Sequence, residues 1–150
     1  MANQAQLNII VQHGIAAWDE YRRSNPTTPI DLAGADLHGV HLEDVNLRGA
    51  TLTKAHLRGA HLRGADLYGA YLEEADLYGA DLYGAHLEDA HLHKADLRGA
   101  ELYKANLQGA DLRGANLQSA NLQGVTITQE QLKTVKSLKR AFMPDGSTHP

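Results

Sequence analysis

Ala65-Asp66-Leu67-Tyr68-Gly69-Ala70-Tyr71-Leu72-Glu73-Glu74-Ala75-Asp76-Leu77-Tyr78-Gly79 is one five-residue pattern written three times. Followed outward, the pattern runs from Ile30 to Thr128. Leucine recurs every fifth residue from Leu32 to Leu122, nineteen times in register, and Ile127 is the last beat. Two residues before each beat stands a small apolar residue, Ala at sixteen of the twenty places and Ile30, Val40, Val45 and Val125 at the rest. A period of five matches neither the 3.6 of a helix nor the 2 of a strand. A helix would scatter these leucines around its whole cylinder, and a flat strand would send alternate leucines to opposite faces. Each repeat must therefore turn the chain by a fixed angle while Leu and Ala stay inside. Four such turns close a square coil of about twenty residues, and successive coils pair like parallel strands roughly 4.8 Å apart. The twenty beats make five coils, a rod on the order of 24 Å tall at that spacing. One repeat cannot bury its own apolar side, so stacking is what stabilises it.

The position before each leucine is polar throughout, mostly Asp, His and Asn, as suits side chains that hydrogen-bond a turning backbone. Two residues after each leucine, Gly stands at twelve of nineteen repeats, which fits corners that need positive φ. Lys54, Glu74 and Lys94 break this column on three consecutive coils of one face. That corner is expected to avoid positive φ.

The motif A-(D/N)-L-x-G, as in Ala65 to Gly69 and Ala110-Asp111-Leu112-Arg113-Gly114, resembles the pentapeptide-repeat family over about two thirds of the chain. The resemblance implies an all-β solenoid, a right-handed quadrilateral parallel β-helix. The family is abundant in cyanobacteria. Most members have no known biochemical role, and a minority, the quinolone-resistance type, imitate DNA and bind type II topoisomerases. Fold alone does not carry function over.

The rod is flanked by two expected caps. Residues 5–23 read as one amphipathic helix with Leu7, Ile10, Val11, Ile15 and Trp18 on a stripe. Gly14 lies on that stripe, where it permits close approach to another backbone. Asn25-Pro26 and Pro29 end the helix, so residues 1–29 form a cap and lead-in. Residues 30–128 form the solenoid. Thr128 and Gln131 make a capping box for a C-terminal helix over 129–142, with Leu132, Val135 and Leu138 on one face and Phe142 covering the last coil. Residues 143–150 read as a frayed tail. Both caps blunt the unpaired ends of the coil. The resemblance implies that many relatives dimerise through uncapped ends, so two caps argue for a monomer.

Composition narrows the function classes. No cysteine is present, so disulfide and thiol chemistry are absent. Nothing reads as a secretory signal or a membrane span, and a cytoplasmic protein is expected. The net charge of −4 is concentrated in residues 30–128, with fourteen acids against eight bases. Catalysis finds no support, because a convex rod filled with leucine offers no water-excluding pocket. No cofactor is indicated. His41 and His61 would stack on one column and His91 and His93 flank Leu92, but no three histidines meet, so no zinc site is expected.

Stacking residues twenty apart defines four lateral faces. Lys54, Glu73, Glu74, His93 and Lys94 cluster on the first, either as a protein-binding face or as a solvated charge ladder. Arg58, Tyr78 and Arg98 stack on the second, Tyr83 and Tyr103 on the third, and Tyr68 lies on the fourth. This aromatic band suits a docking surface or simple cross-coil stacking. Arginines 48, 58, 63, 98 and 113 interrupt any acidic stripe, so DNA mimicry toward gyrase is the lesser alternative. The rod is also shorter than the topoisomerase-binding relatives. Direct nucleic-acid binding is not expected, since the basic residues near the C-terminus complement their own helix end. The expectation is a non-enzymatic interaction or scaffold module that meets an unknown protein partner through its sides.

Overall fold

The computed structural model describes residues 1–150. Each repeat places one residue in a parallel β-bridge with the residue twenty positions on: Asp31 with Thr51, Asp36 with His56, His41 with His61, Asn46 with Asp66, and so through Asn106 with Thr126. Two bonds hold each bridge. In the first, Thr51 N–H donates to Ile30 O at 2.9 Å and Leu32 N–H to Thr51 O at 2.8 Å. A further intercoil bond runs from Gly34 N–H to Thr53 O at 2.9 Å, and the corner closes on itself through Ala35 N–H to Leu32 O at 3.0 Å. Leu32 to Ala35 is thus a β-turn whose third residue, Gly34, has φ of 67°, as a type II turn requires. Four such corners return the chain to its starting edge.

The polar residue before leucine acts as expected. Asp31, Asp36, Asn46, Asp66, Asp76, Asp81, Asp96, Asn106, Asp111, Asn116 and Asn121 each accept the backbone N–H two residues on, at 3.0–3.3 Å. These Asx contacts satisfy N–H groups that the coil ladder leaves unpaired.

The expectation for the first-face corner is overturned. Lys54, Glu74 and Lys94 have φ of 58°, 57° and 57°, and Asp44, Asp89, Lys104 and Ser119 share the conformation. Every leucine-centred repeat therefore turns through a left-handed residue, glycine or not. The cause is the ladder: Lys54 N–H donates to Glu73 O, Glu74 N–H to His93 O and Lys94 N–H to Arg113 O, all at 2.9 Å. Those bonds, with the turn bond, impose the conformation over a local cost of about 1–2 kcal/mol for a residue with a Cβ.

All nineteen leucines, 32 to 122, are fully buried in one column with the alanines. The bulkier residues at the alanine position, Ile30, Val40, Val45 and Val125, stand only in the first and last coils. There one neighbouring layer is a cap rather than another leucine layer.

The N-terminal cap is not one helix. Helix α1 covers Gln4–Asn8, a π-helical turn covers Ile9–His13, and helix α2 covers Gly14–Ser24. Gly14 has φ of 81° and ψ of −177°, and no atom lies within 4 Å of where its Cβ would be. Gly14 therefore serves the break and not a close approach. The break divides the expected stripe: Ile10 and Trp18 are buried, whereas Val11 is 46% exposed. Trp18 seals the top of the column, its indole N–H donating to Asn46 O at 2.9 Å. Gln6 completes the seal. Its Oε1 accepts Asp31 N–H at 2.9 Å and its Nε2 donates to Pro29 O at 2.8 Å, so one side-chain amide replaces the missing coil above.

The C-terminus also departs from expectation. Helix α3 covers only Gln129–Lys133, with the capping box in place. The chain then resumes coiling: Asn116 pairs with Ser137 and Asn121 with Phe142, a register of twenty-one in place of twenty. Ser137 to Ala141 is a further repeat, with Arg140 at φ of 60° and Ala141 N–H donating to Leu138 O. The helical spacing of Leu132, Val135 and Leu138 lost to the open lower edge, whose backbone groups need partners. Phe142 consequently bridges Asn121 and is 46% exposed, not a cover for the last coil. Residues after it fold back, with Phe142 paired antiparallel to Thr148 and Arg140 N–H donating to His149 O at 2.9 Å. The tail is hydrogen-bonded, not frayed. Gln131 mirrors Gln6, its Nε2 donating to Leu107 O and Ala110 O at 2.7 and 2.9 Å.

Gln6→Met keeps the length and approximate volume of the side chain but strands the part-buried Asp31 N–H and Pro29 carbonyl. It is expected to destabilise the chain by about 2–3 kcal/mol, read as a lowered urea midpoint with unchanged slope. Ser119→Gly should instead stabilise by about 0.5–1 kcal/mol, because the exposed Ser119 is held at positive φ. Gly69→Ala, with open space at its Cβ, should cost a similar amount. Equal midpoints for the three corner sequences would show that φ carries no cost there.

Candidate lateral binding surface

The register that builds the core also stacks the surface. Three neighbouring corners carry the sequence Asp-Leu-Tyr, at Asp66 to Tyr68, Asp76 to Tyr78 and Asp81 to Tyr83. One coil earlier in each column stands an arginine. Arg48, Arg58 and Arg63 lie over the rings of Tyr68, Tyr78 and Tyr83 at 4.5, 4.6 and 4.4 Å from the centroids. Each guanidinium also reaches the aspartate of the same motif: Asp66 at 3.2 Å, Asp76 at 3.8 Å and Asp81 at 3.5 Å. The ring supplies a negative face and the carboxylate a full charge, so one cation satisfies both. The result is a girdle of three Arg–Tyr–Asp units around the middle of the rod.

The expected sandwich at Tyr78 is present, with Arg98 on its other side at 5.5 Å. Tyr83 and Tyr103 meet at 5.6 Å but are tilted by 31°. Tyr68 leans out of its column to donate from its hydroxyl to Asp89 at 3.0 Å, and that carboxylate raises the phenol pKa. Sequence reasoning singled out Arg58 and missed Arg48 and Arg63. The signal was present: an arginine twenty residues before the tyrosine of Asp-Leu-Tyr. Tyr71, also missed, stacks on His91 at 4.6 Å.

Where the third residue is arginine, the motif closes on itself. In Asp96-Leu97-Arg98 and Asp111-Leu112-Arg113, the guanidinium forks back onto its own aspartate at 2.6–2.8 Å. The hydrogen bonds from Arg98 and Arg113 hold both carboxyls below their usual range, Asp111 down to about 2. Along these columns, acidic charge is neutralised in place.

The first-face cluster forms as a column but not as a network. Lys54 Nζ lies 3.7 Å from Glu74 Oε2, both side chains exposed. Glu73 accepts from Thr53 Oγ1 at 3.1 Å. Lys94 lies along the bare corner of Gly114, where a Cβ would sit 3.3 Å from Lys94 Cγ. His93 Nδ1 is sheltered and has no partner. Beside this face an open groove of about 550 Å³ is lined by Lys94, Asp96, Arg98 and Lys136 among others. No helix is long and apolar enough to cross a membrane.

The family model described as pentapeptide repeats matches in eight copies over residues 30–67, 55–93, 65–102 and 90–129. No curated protein sequence matches the chain. Among solved structures, the chain is similar to the pentapeptide repeat protein Rfr23 from the cyanobacterium Cyanothece 51142, at 31% identity. That match covers 87% of this chain and 97% of the other, with a TM-score of 0.65. It is also similar to a pentapeptide repeat protein from the thylakoid lumen of Arabidopsis thaliana, at 27% identity, covering 75% and 86% of the two chains with a TM-score of 0.53. These neighbours are right-handed β-helices. With its family model spanning two thirds of its length and its twenty-residue coil register, the chain belongs to the pentapeptide-repeat family.

Proposed function

We propose that this protein is a non-enzymatic interaction module of the cytoplasm that binds a protein partner through the sides of its rod, as a monomer. The observation that carries the proposal is the girdle. Within it Tyr68 and Tyr78 remain 40% and 43% exposed although each ring lies under an arginine. Stacking fixes the rings without covering them, so a partner loses little side-chain freedom on meeting them. Rigid tyrosines beside arginines have the composition of interface hot spots. Proteins of this family are generally non-enzymatic repeat proteins, in keeping with this reading. The first face, from Lys54 and Glu73 to Lys94, offers a second surface of mixed charge at the rim.

DNA mimicry toward a topoisomerase is the weaker reading. A duplex presents one charge per ~1.7 Å of axis, whereas Asp66, Asp76, Asp81, Asp96 and Asp111 are each paired with an arginine.

The two surfaces are separable by mutation. Affinity capture with the intact chain is expected to retain a partner that the double variant Tyr68→Ser, Tyr78→Ser releases, at least tenfold weaker, while Glu73→Lys, Glu74→Lys alters it two- to threefold. Thermal midpoints within a few degrees of wild type establish that the baits are folded. Equal retention by every bait removes the girdle as the docking surface. Inhibition of gyrase supercoiling at micromolar protein would favour the alternative.

A further inference from the structure

We propose that His41, Glu43 and His61 form a binding site for a single Zn²⁺ or similar borderline divalent ion on the third corner of the first two coils. His41 and His61 are bridged partners, fixed by Leu42 N–H to His61 O at 2.7 Å and His61 N–H to Val40 O at 2.9 Å. Their rings lie 4.2 Å apart and within 7° of parallel. Glu43, two residues after His41, turns its Oε1 back to His41 Nδ1 at 3.0 Å. One donor atom from each of the three residues falls within 4.8 Å of the other two, and no other trio of potential ligands in the chain does so.

The spacing suits an ion. Two ligands about 2.05 Å from a tetrahedral Zn²⁺ stand roughly 3.3 Å apart, close to the His41–Glu43 separation already present. A carboxylate accepts only, so in the free protein His41 carries its proton on Nδ1. On binding, the ion takes that proton's place between Nδ1 and Oε1, and the ring moves the proton to Nε2. Parallel rings cannot both aim an in-plane lone pair at one point. His61 must therefore rotate about its outer torsion and close by up to about 1.5 Å, which its partial exposure permits. Water fills the remaining position. Two imidazoles and one carboxylate select Zn²⁺, Ni²⁺ or Cu²⁺ over Mg²⁺ and Ca²⁺, which take oxygen ligands.

The surrounding charges leave the site open to a cation. Arg63, one coil after Glu43, is turned away onto Asp81 at 3.5 Å and Tyr83 at 4.4 Å. Asp44 shares the corner of Glu43 and lies against Gly64. The hydrogen bond from His41 keeps Glu43 below the usual carboxylate range. The other histidines have different neighbours: His38 meets Asp36, His86 meets Glu88 and His91 stacks on Tyr71.

Calorimetric titration of the full chain with ZnCl₂ at pH 7.5 is expected to show one saturable equivalent. His61→Gln and Glu43→Gln should each weaken it tenfold or more, and His91→Gln should leave it within twofold. Substoichiometric Ni²⁺ should broaden the ring signals of His41 and His61 ahead of the other seven of the nine histidines. Binding should also weaken at least tenfold at pH 5.5, because protons compete with the ion for its ligands. Absence of saturable binding at millimolar Zn²⁺, equal loss in the His91 variant, or simultaneous broadening of all histidines would overturn the site. Circular dichroism of each variant separates lost ligands from lost fold.

Discussion

The parallel backbone ladder between residues twenty apart governs this molecule. Each repeat contributes an N–H and a C=O to the coil on either side, and the corner bond closes the turn between them. These bonds are directional and leave little slack, so they fix which residues lie above one another. A slip of one position would move leucine to the surface and a polar residue into the column. The ladder is strong enough to override local preference at Lys54, Glu74 and Lys94, which adopt a conformation that suits glycine better. No single corner has to favour its own geometry when two neighbouring coils impose it.

The same regularity creates the problem of the ends. A coil with no neighbour exposes a row of backbone groups, a template for further pairing. At each end the chain answers with a glutamine. Gln6 offers an acceptor and a donor in the spacing of a peptide group, and Gln131 donates to two carbonyls of the corner from Leu107 to Ala110. Apolar closure is separate and falls to Trp18 above the column. Below, the chain adds a partial coil and a folded-back tail.

Outside the column, stacking turns sequence neighbours in a face into contacts. Arginine over Asp-Leu-Tyr yields a cation–π pair and an ion pair at once. Asp-Leu-Arg folds the charge back on itself. Histidine over histidine, with a glutamate two residues on, yields three convergent donors. None of these needs a pocket, and each follows from placing a suitable residue at i and another at i+20. Such a surface can vary without disturbing the core, which is why membership of the family leaves the partner open.

Much of this was legible in the sequence. Leucine every five residues requires a coil, the preceding Asp and Asn announce the corner hydrogen bonds, and Arg58, Tyr78 and Arg98 meet as their spacing of twenty implies. What the sequence could not settle were competitions between local preference and distant partners. Leu132, Val135 and Leu138 carry a helical period, yet residues 134–144 pair with the coil before them, because the open edge offers hydrogen bonds that a solvated helix does not. Val11 fits the apolar stripe of one helix, but the break at Gly14 turns it outward. Lys54 has no local reason for positive φ and takes it from the ladder. The alignment of Glu43 with His41 and His61 depends on rotamers as well as register. The repeat by itself determined the coil, its core and which residues share a face. The tertiary structure alone decided the corner conformations, the two closures and the side-chain contacts, because each is settled by groups far apart in the chain competing for the same backbone and the same space.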